Sequence, residues 1–257
     1  MWHSHRYTCS TARAGRFRRE SRSCRRPANI PPAVREAAPS SGFARLLEGS
    51  PIPLRLRRGG CHPASSFVNP ASIGDSSVLN LEQLSELHDR GWTICSHAYR
   101  HDSLDELERD AQEARIRDAK EWLTAHGFAD GAEYFAYPYS NYDATTLELA
   151  AEYHQLGFAA GWPAAGHVSN RLLAPRRGDL EPAAAERLLD LAVRHTGVVT
   201  LLFHSMWDFE NAGYHVDSFE TIVDEVAKRE RKGNLDVLSV SEFDSRLVKS
   251  TLPAPYI

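Results

Sequence analysis

Two histidines four residues apart, His97 and His101, close the segment GWTICSHAYRH. They follow a short apolar run that reads as a strand, and four residues of turning backbone bring both imidazoles to one side. Two imidazole nitrogens on one side suit a zinc-type cation, which takes nitrogen ligands at about 2.0–2.1 Å. A pair of surface histidines has the same spacing, so HxxxH alone does not decide. Two further segments carry groups able to do chemistry. FAYPYSNYD stops at Pro138 and turns at Tyr139 and Ser140, where an exposed backbone N–H is able to donate to a developing oxyanion. A plain proline turn reads the same way. VVTLLFHSMWD ends its apolar run on His204. That residue is either a satisfied histidine at a core boundary or a general acid, since imidazole titrates near neutral pH.

The elements around these segments alternate. SSFVNP (65–70) reads as a strand ending in a turn, and Leu81, Leu84 and Leu87 mark a helix that stops at Gly91. GWTICS is a strand. Ser103 to Ala125 reads as one long helix, with Ser103 and Glu106 forming a capping box. EYFAYP (133–138) is a strand, Asp143 to Gly157 a helix, and FAAGW a strand. Pro182 to His195 is a helix with proline in its first turn. GVVTLLFH (197–204) is a strand, Ser218 to Gly233 a helix, LDVLSV a strand, and SEFDSRLV a last helix capped by Ser241. Short connections between alternating strands and helices imply a parallel sheet covered by helices. In such folds functional side chains gather where strands end.

Composition sets the outer limits. The 257 residues allow one sizeable core, and 42% hydrophobic with 25% charged residues fits a globular protein. No apolar run approaches the roughly 20 residues that span a bilayer, and no signal peptide is visible. The four cysteines form no CxxC pair, so neither a disulfide framework nor a cysteine zinc site is expected. A reducing, cytoplasmic setting is the default reading. Charge is unevenly spread. Residues 1–60 hold 13 arginines and no lysine against three glutamates and no aspartate; the remainder holds 17 basic and 31 acidic residues. The acidic, lysine-poor body resembles proteins of salt-loving organisms.

The chain divides at residue 64. Residues 1–64 are rich in Arg, Ser and Pro and show no sustained period, a composition that does not offset its own ordering entropy. A basic nucleic-acid arm or a transit peptide is compatible with it. The favoured expectation is text from a GC-rich gene read out of frame, with nucleic acid an unlikely partner. Residues 65–257 form the folded domain.

In order, HAYRH (97–101), FAYPYS (135–140) and LLFH (201–204) resemble the motifs of the polysaccharide deacetylases, the NodB-like carbohydrate esterases. The phrase LEQLSELHDRGWTICSH and the closing KGNLDVLSVSEF are similar to that family too, so the resemblance covers roughly residues 65–245. It implies a distorted (β/α) barrel with fewer than eight parallel strands, and removal of N-acetyl groups from amino sugars of a glycan. It implies a divalent cation, most often zinc, held in part by His97 and His101. His204 would act as acid and the Tyr139 N–H as oxyanion donor. Pro138, Trp162 and Trp207 would line the sugar site, although core packing also accounts for the tryptophans.

The departures are specific. The family's first strand ends in an Asp-Asp segment that supplies the catalytic base and the third metal ligand. Here no aspartate precedes Asp75, so neither residue is found. The first strand is expected to be missing or corrupted, the barrel open at an unpaired edge, and activity impaired. A catalytically inactive relic or carbohydrate-binding protein of the same fold is the alternative. Ala98 stands where Ser or Thr is usual, and Ser140 where Gly is usual. Arg176 and Asp179, in APRRGD, lie where a further motif would sit.

Overall fold

The computed structural model describes residues 6–13, 62–75, 78–161, 165–166, 168–204, 206–207 and 214–250. Six parallel strands make the wall: β2 (Ala64–Val68), β3 (Thr93–Ser96), β4 (Tyr134–Ala136), β5 (Leu156–Ala160), β7 (Ala174–Gly178) and β8 (Val198–Phe203), hydrogen-bonded in that order. The short β6 (Ala165–Gly166) adds antiparallel to β8. This is a distorted (β/α) barrel with fewer than eight parallel strands.

The expected open edge is not there. Strand β1 (Arg6–Arg13) lies between β2 and β8, antiparallel to both. Arg6 pairs with Phe67 and Tyr7 with Phe203, while Ala12 and Arg13 pair with β11 (Asp236–Val237). A buried parallel sheet leaves backbone N–H and C=O groups unpaired at its two end strands, and any extended segment is able to satisfy them whatever its side chains. That is why a strand forms inside a stretch whose composition does not predict one.

Helices cover the wall. They are α1 (Leu81–Asp89), α2 (Arg109–Ala125), α3 (Ala144–Tyr153), α4 (Pro182–His195), α5 (Val216–Arg231) and α6 (Val240–Ser250). Their apolar stripes bury Leu84, Leu123, Leu188 and Ile222 against Val68, Ile94, Val199 and Phe203. The other face of the wall packs Phe67, Cys95, Leu156 and Phe158 on Val240, Phe243 and Leu247 of α6. None of the described helices is long and apolar enough to cross a membrane.

Several boundaries differ from expectation. The helix foreseen from Ser103 is split: a 3-10 turn spans Leu104–Glu106, and α2 starts only at Arg109. Ser103 makes no side-chain cap; its hydroxyl donates to Asp105 instead. The helix from Asp143 ends at Tyr153, because strand β5 begins at Leu156, and Asp143 is its cap. The strand LDVLSV shrinks to Asp236–Val237. The last helix is capped by Ser239 rather than Ser241: the Ser239 hydroxyl accepts from Glu242 N, and the Glu242 carboxylate accepts from Ser239 N. Strand β7 was not foreseen, since APRRG lacks both alternation and a continuous apolar run.

At the C-terminal cap of α3, His154 is buried, stacked on Phe135 with ring centroids 4.9 Å apart, and its Nδ1 bonds Ala132 O at 2.9 Å. Burial pushes this imidazole down to about 3, the nearby Lys120 charge adding to it against the Ala132 hydrogen bond. In the unfolded chain it titrates near 6.5. Between those values the unfolded chain binds more protons, so stability is complete above about pH 6.5 and falls as the pH drops. By pH 5 this amounts to about 2 kcal/mol. Thermal unfolding at pH 7.5 and 5.0 should show that loss, and His154→Phe, which keeps a ring on Phe135, should lose much of the pH dependence. An unchanged dependence in the variant contradicts the assignment.

Candidate active site

Strands β3, β4, β7 and β8 run parallel, so their C-terminal ends share one rim. His97 follows β3 directly and is fully buried. Its Nδ1–H donates to Ala136 O at the end of β4, 2.5 Å away. That bond fixes the tautomer and places the lone pair on Nε2, the arrangement a metal-ligating histidine needs. The His101 ring lies 4.8 Å from that of His97, centroid to centroid, and the Tyr139 ring 4.4 Å from that of His101. The structure therefore brings His97, His101 and Tyr139 together. Tyr139 is 55% exposed, and Pro138 is buried in the first position of the turn Pro138–Ser140. The Ser140 hydroxyl accepts from Ala160 N at 2.9 Å and ties this turn to β5.

A second group forms where β7 and β8 end. The Asp179 carboxylate accepts from His204 N at 2.9 Å, and its other oxygen engages His204 Nδ1. An aspartate on Nδ1 orients the ring and leaves Nε2 for proton exchange. Gly178 makes room: a Cβ there would lie 3.2 Å from Leu202 Cδ2 and 3.6 Å from His204 Cε1. Arg176, fully buried, donates to Tyr137 O at 3.1 Å, one carbonyl beyond the acceptor of His97. From β3 to β8 through β2 and β1 is three interstrand steps, about 14 Å along the curved wall.

One backbone feature unites the two groups. Among described non-glycine residues, positive φ occurs at Ala98, Tyr139, Ser140, Asp179 and Thr196. Thr196 is the C-cap of α4. The other four all sit on the rim, just after β3, β4 and β7. Left-handed backbone costs an ordinary L-residue about 1–2 kcal/mol, and such strain concentrates at functional sites.

The donor set supports zinc-type chemistry only in part. Two imidazoles match the ion's preference, but zinc sites use three or four protein ligands. Among the described residues no group of three His, Cys, Asp or Glu side chains is placed to hold a metal. Strand β1, RYTCSTAR, contains no carboxylate. Trp162 lies outside the described residues. Trp207 belongs to the short strand β9 (Met206–Trp207), which pairs with β10 (Tyr214–His215). Asp179 was left without a role by the sequence reading. Asn69, described below, was passed over as part of a turn.

Residues 56–158 match the family model described as Polysaccharide deacetylase. Over this segment the chain is similar to the polysaccharide deacetylases. Among solved structures, one agrees in fold and others show a more partial likeness. A CE4 family pseudoenzyme from Bacillus anthracis is 14% identical, with a TM-score of 0.51, covering 80% of this chain and 62% of that chain. The Streptococcus pyogenes deacetylase PplD, solved with acetate, is 22% identical at a TM-score of 0.44, covering 50% of this chain and 57% of that chain. A family 4 carbohydrate esterase from Streptomyces lividans, also solved with acetate, is 16% identical at 0.45, covering 76% and 85%. Comparison with curated protein sequences finds no match. The chain thus spans under two thirds of the length of the streptococcal deacetylase and of the pseudoenzyme.

Proposed function

We propose that the rim of this deacetylase-like chain is one site for metal-assisted hydrolysis of N-acetyl groups on amino sugars of a glycan. The observation that carries the reading is the gathering of His97, His101 and His204 with four left-handed non-glycine residues, Ala98, Tyr139, Ser140 and Asp179, where β3, β4, β7 and β8 end. His97 and His101 would hold a zinc-type cation, which when bound would supply carbonyl polarisation and a more acidic water. The chain's own groups do the rest. Asp179 holds His204 with Nε2 outward, so that His204 protonates the departing amine. The Tyr139 N–H, turned by its left-handed backbone, donates to the oxyanion. Pro138, at the head of that turn, borders the sugar site.

The site lacks a carboxylate base and a third anionic ligand among the described residues, so turnover is slow. The same observation favours a second reading, a glycan-binding protein without turnover. Incubation with an N-acetylglucosamine tetramer and Zn²⁺ separates them. Acetate release that stops with a chelator and in His204→Gln supports the hydrolase. Binding without release, seen by NMR of the sugar, supports the second reading. Neither binding nor release overturns both.

A further inference from the structure

We infer that Asn69 is the positioning residue of the His97–His101 pair, acting as a brace for the left-handed turn at Ala98. The inference rests on the reading of that pair as the core of the site. Asn69 follows β2 and is only 4% exposed. Its carboxamide nitrogen donates both to His97 O and, at 3.0 Å, to Ala98 O.

In an extended strand successive carbonyls point to opposite sides. One nitrogen reaches both here because the chain leaves the extended conformation at Ala98, with φ of 64°. A residue with a Cβ seldom adopts that backbone, and Ala98 adopts it fully buried.

The brace is itself held. Asn69 O accepts from Ser72 N and from the Ser72 hydroxyl, each at 3.0 Å. The two loops are laced on either side, by His97 N to Val68 O and by Ala71 N to Tyr99 O, both 3.0 Å. Since His97 Nδ1 is fixed separately by Ala136 O, the Ala98 turn decides where the chain carries His101. A turn that relaxed to an ordinary φ would redirect residues 99–101 and separate the imidazoles.

A brace differs from a simple staple between β2 and β3. Removing a staple costs the same whichever residue occupies position 98. A brace becomes dispensable when that residue adopts positive φ freely, as glycine does. The test is a double-mutant cycle of Asn69→Ala and Ala98→Gly, read by thermal unfolding and by the assigned imidazole NMR signals of His97 and His101.

Asn69→Ala is expected to lower Tm by about 5 °C and to displace both imidazole signals while leaving that of His88 in place. Adding Ala98→Gly is expected to recover at least half of the Tm loss and return both signals. The inference is overturned if the double variant shows only the sum of the single changes, or if Asn69→Ala leaves both signals unmoved. Failure of the wild type to bind zinc would sink the cation reading, yet these signals would still report on the brace.

Discussion

Gly131→Ala is expected to yield little folded protein. An added Cβ at Gly131 would sit 1.8 Å from Ile94 O and 2.6 Å from Ile94 C. Both are backbone atoms in the middle of β3, so no side chain is able to swing aside. Gly131 is also tied on both sides, its N–H donating to Phe128 O and its carbonyl accepting from Tyr134 N, each at 3.1 Å. Relief requires β3 to move away from the turn that feeds β4, and β3 carries His97. Overpacking of this kind exceeds the ordinary 1–3 kcal/mol range, and we expect about 4 kcal/mol or more. Gly127→Ala provides the contrast. It has φ of 88° but nothing within 4 Å of its Cβ position, so only the backbone preference is lost, about 1 kcal/mol. Urea unfolding of the two variants side by side checks the difference. Equal midpoints would show that the close approach of residue 131 to β3 is not as described.

The second large effect concerns the imidazoles. His97→Ala and His101→Ala should each weaken zinc or cobalt binding by at least about 100-fold, since losing a direct ligand costs more than the 10–100-fold seen for outer partners. Stability should divide them. His97 is fully buried and donates to Ala136 O, so its removal leaves a cavity and an unpaired carbonyl, at about 2 kcal/mol. His101 is partly exposed, with its ring against Tyr139, and its removal should cost under about 1 kcal/mol. Calorimetric titration and urea unfolding measure the two quantities. Unaltered metal affinity in either variant would remove that residue from the site.

The sequence made some of this legible. Helix α1 shows because its leucines repeat at helical spacing and Gly91 marks its end, and α4 because Pro182 marks its first turn. Strand β8 shows because a strand buried on both faces is a continuous apolar run. The helix from Ser103 was misjudged because Ser-x-x-Glu is a local signal. Here Ser103 is occupied by Asp105, and Asn141 donates to its hydroxyl. Strand β1 was invisible because its pairing is set by the unsatisfied edges of β2 and β8, not by its own residues. The histidines were found through ordered motifs. Asp179 was noted without a role and Asn69 was passed over because their partners lie 25 to 29 residues away in sequence, and nothing local announces a contact across two strands. The left-handed turns were equally hidden: Ala98, Tyr139 and Ser140 carry side chains that ordinarily avoid that backbone.

The central claim is that His97, His101 and His204 face one cavity. Paramagnetic broadening tests it most directly. Mn²⁺ is titrated below one equivalent into protein labelled at histidine, and every imidazole signal is followed. Helices α1 and α2 precede β3 and β4, so His88 and His126 at their C-terminal ends lie toward the opposite end of the wall. The account predicts early, joint broadening of His97, His101 and His204, with His88 and His126 still sharp. A sharp His204 beside broadened His97 and His101, or no selective broadening at all, would contradict it.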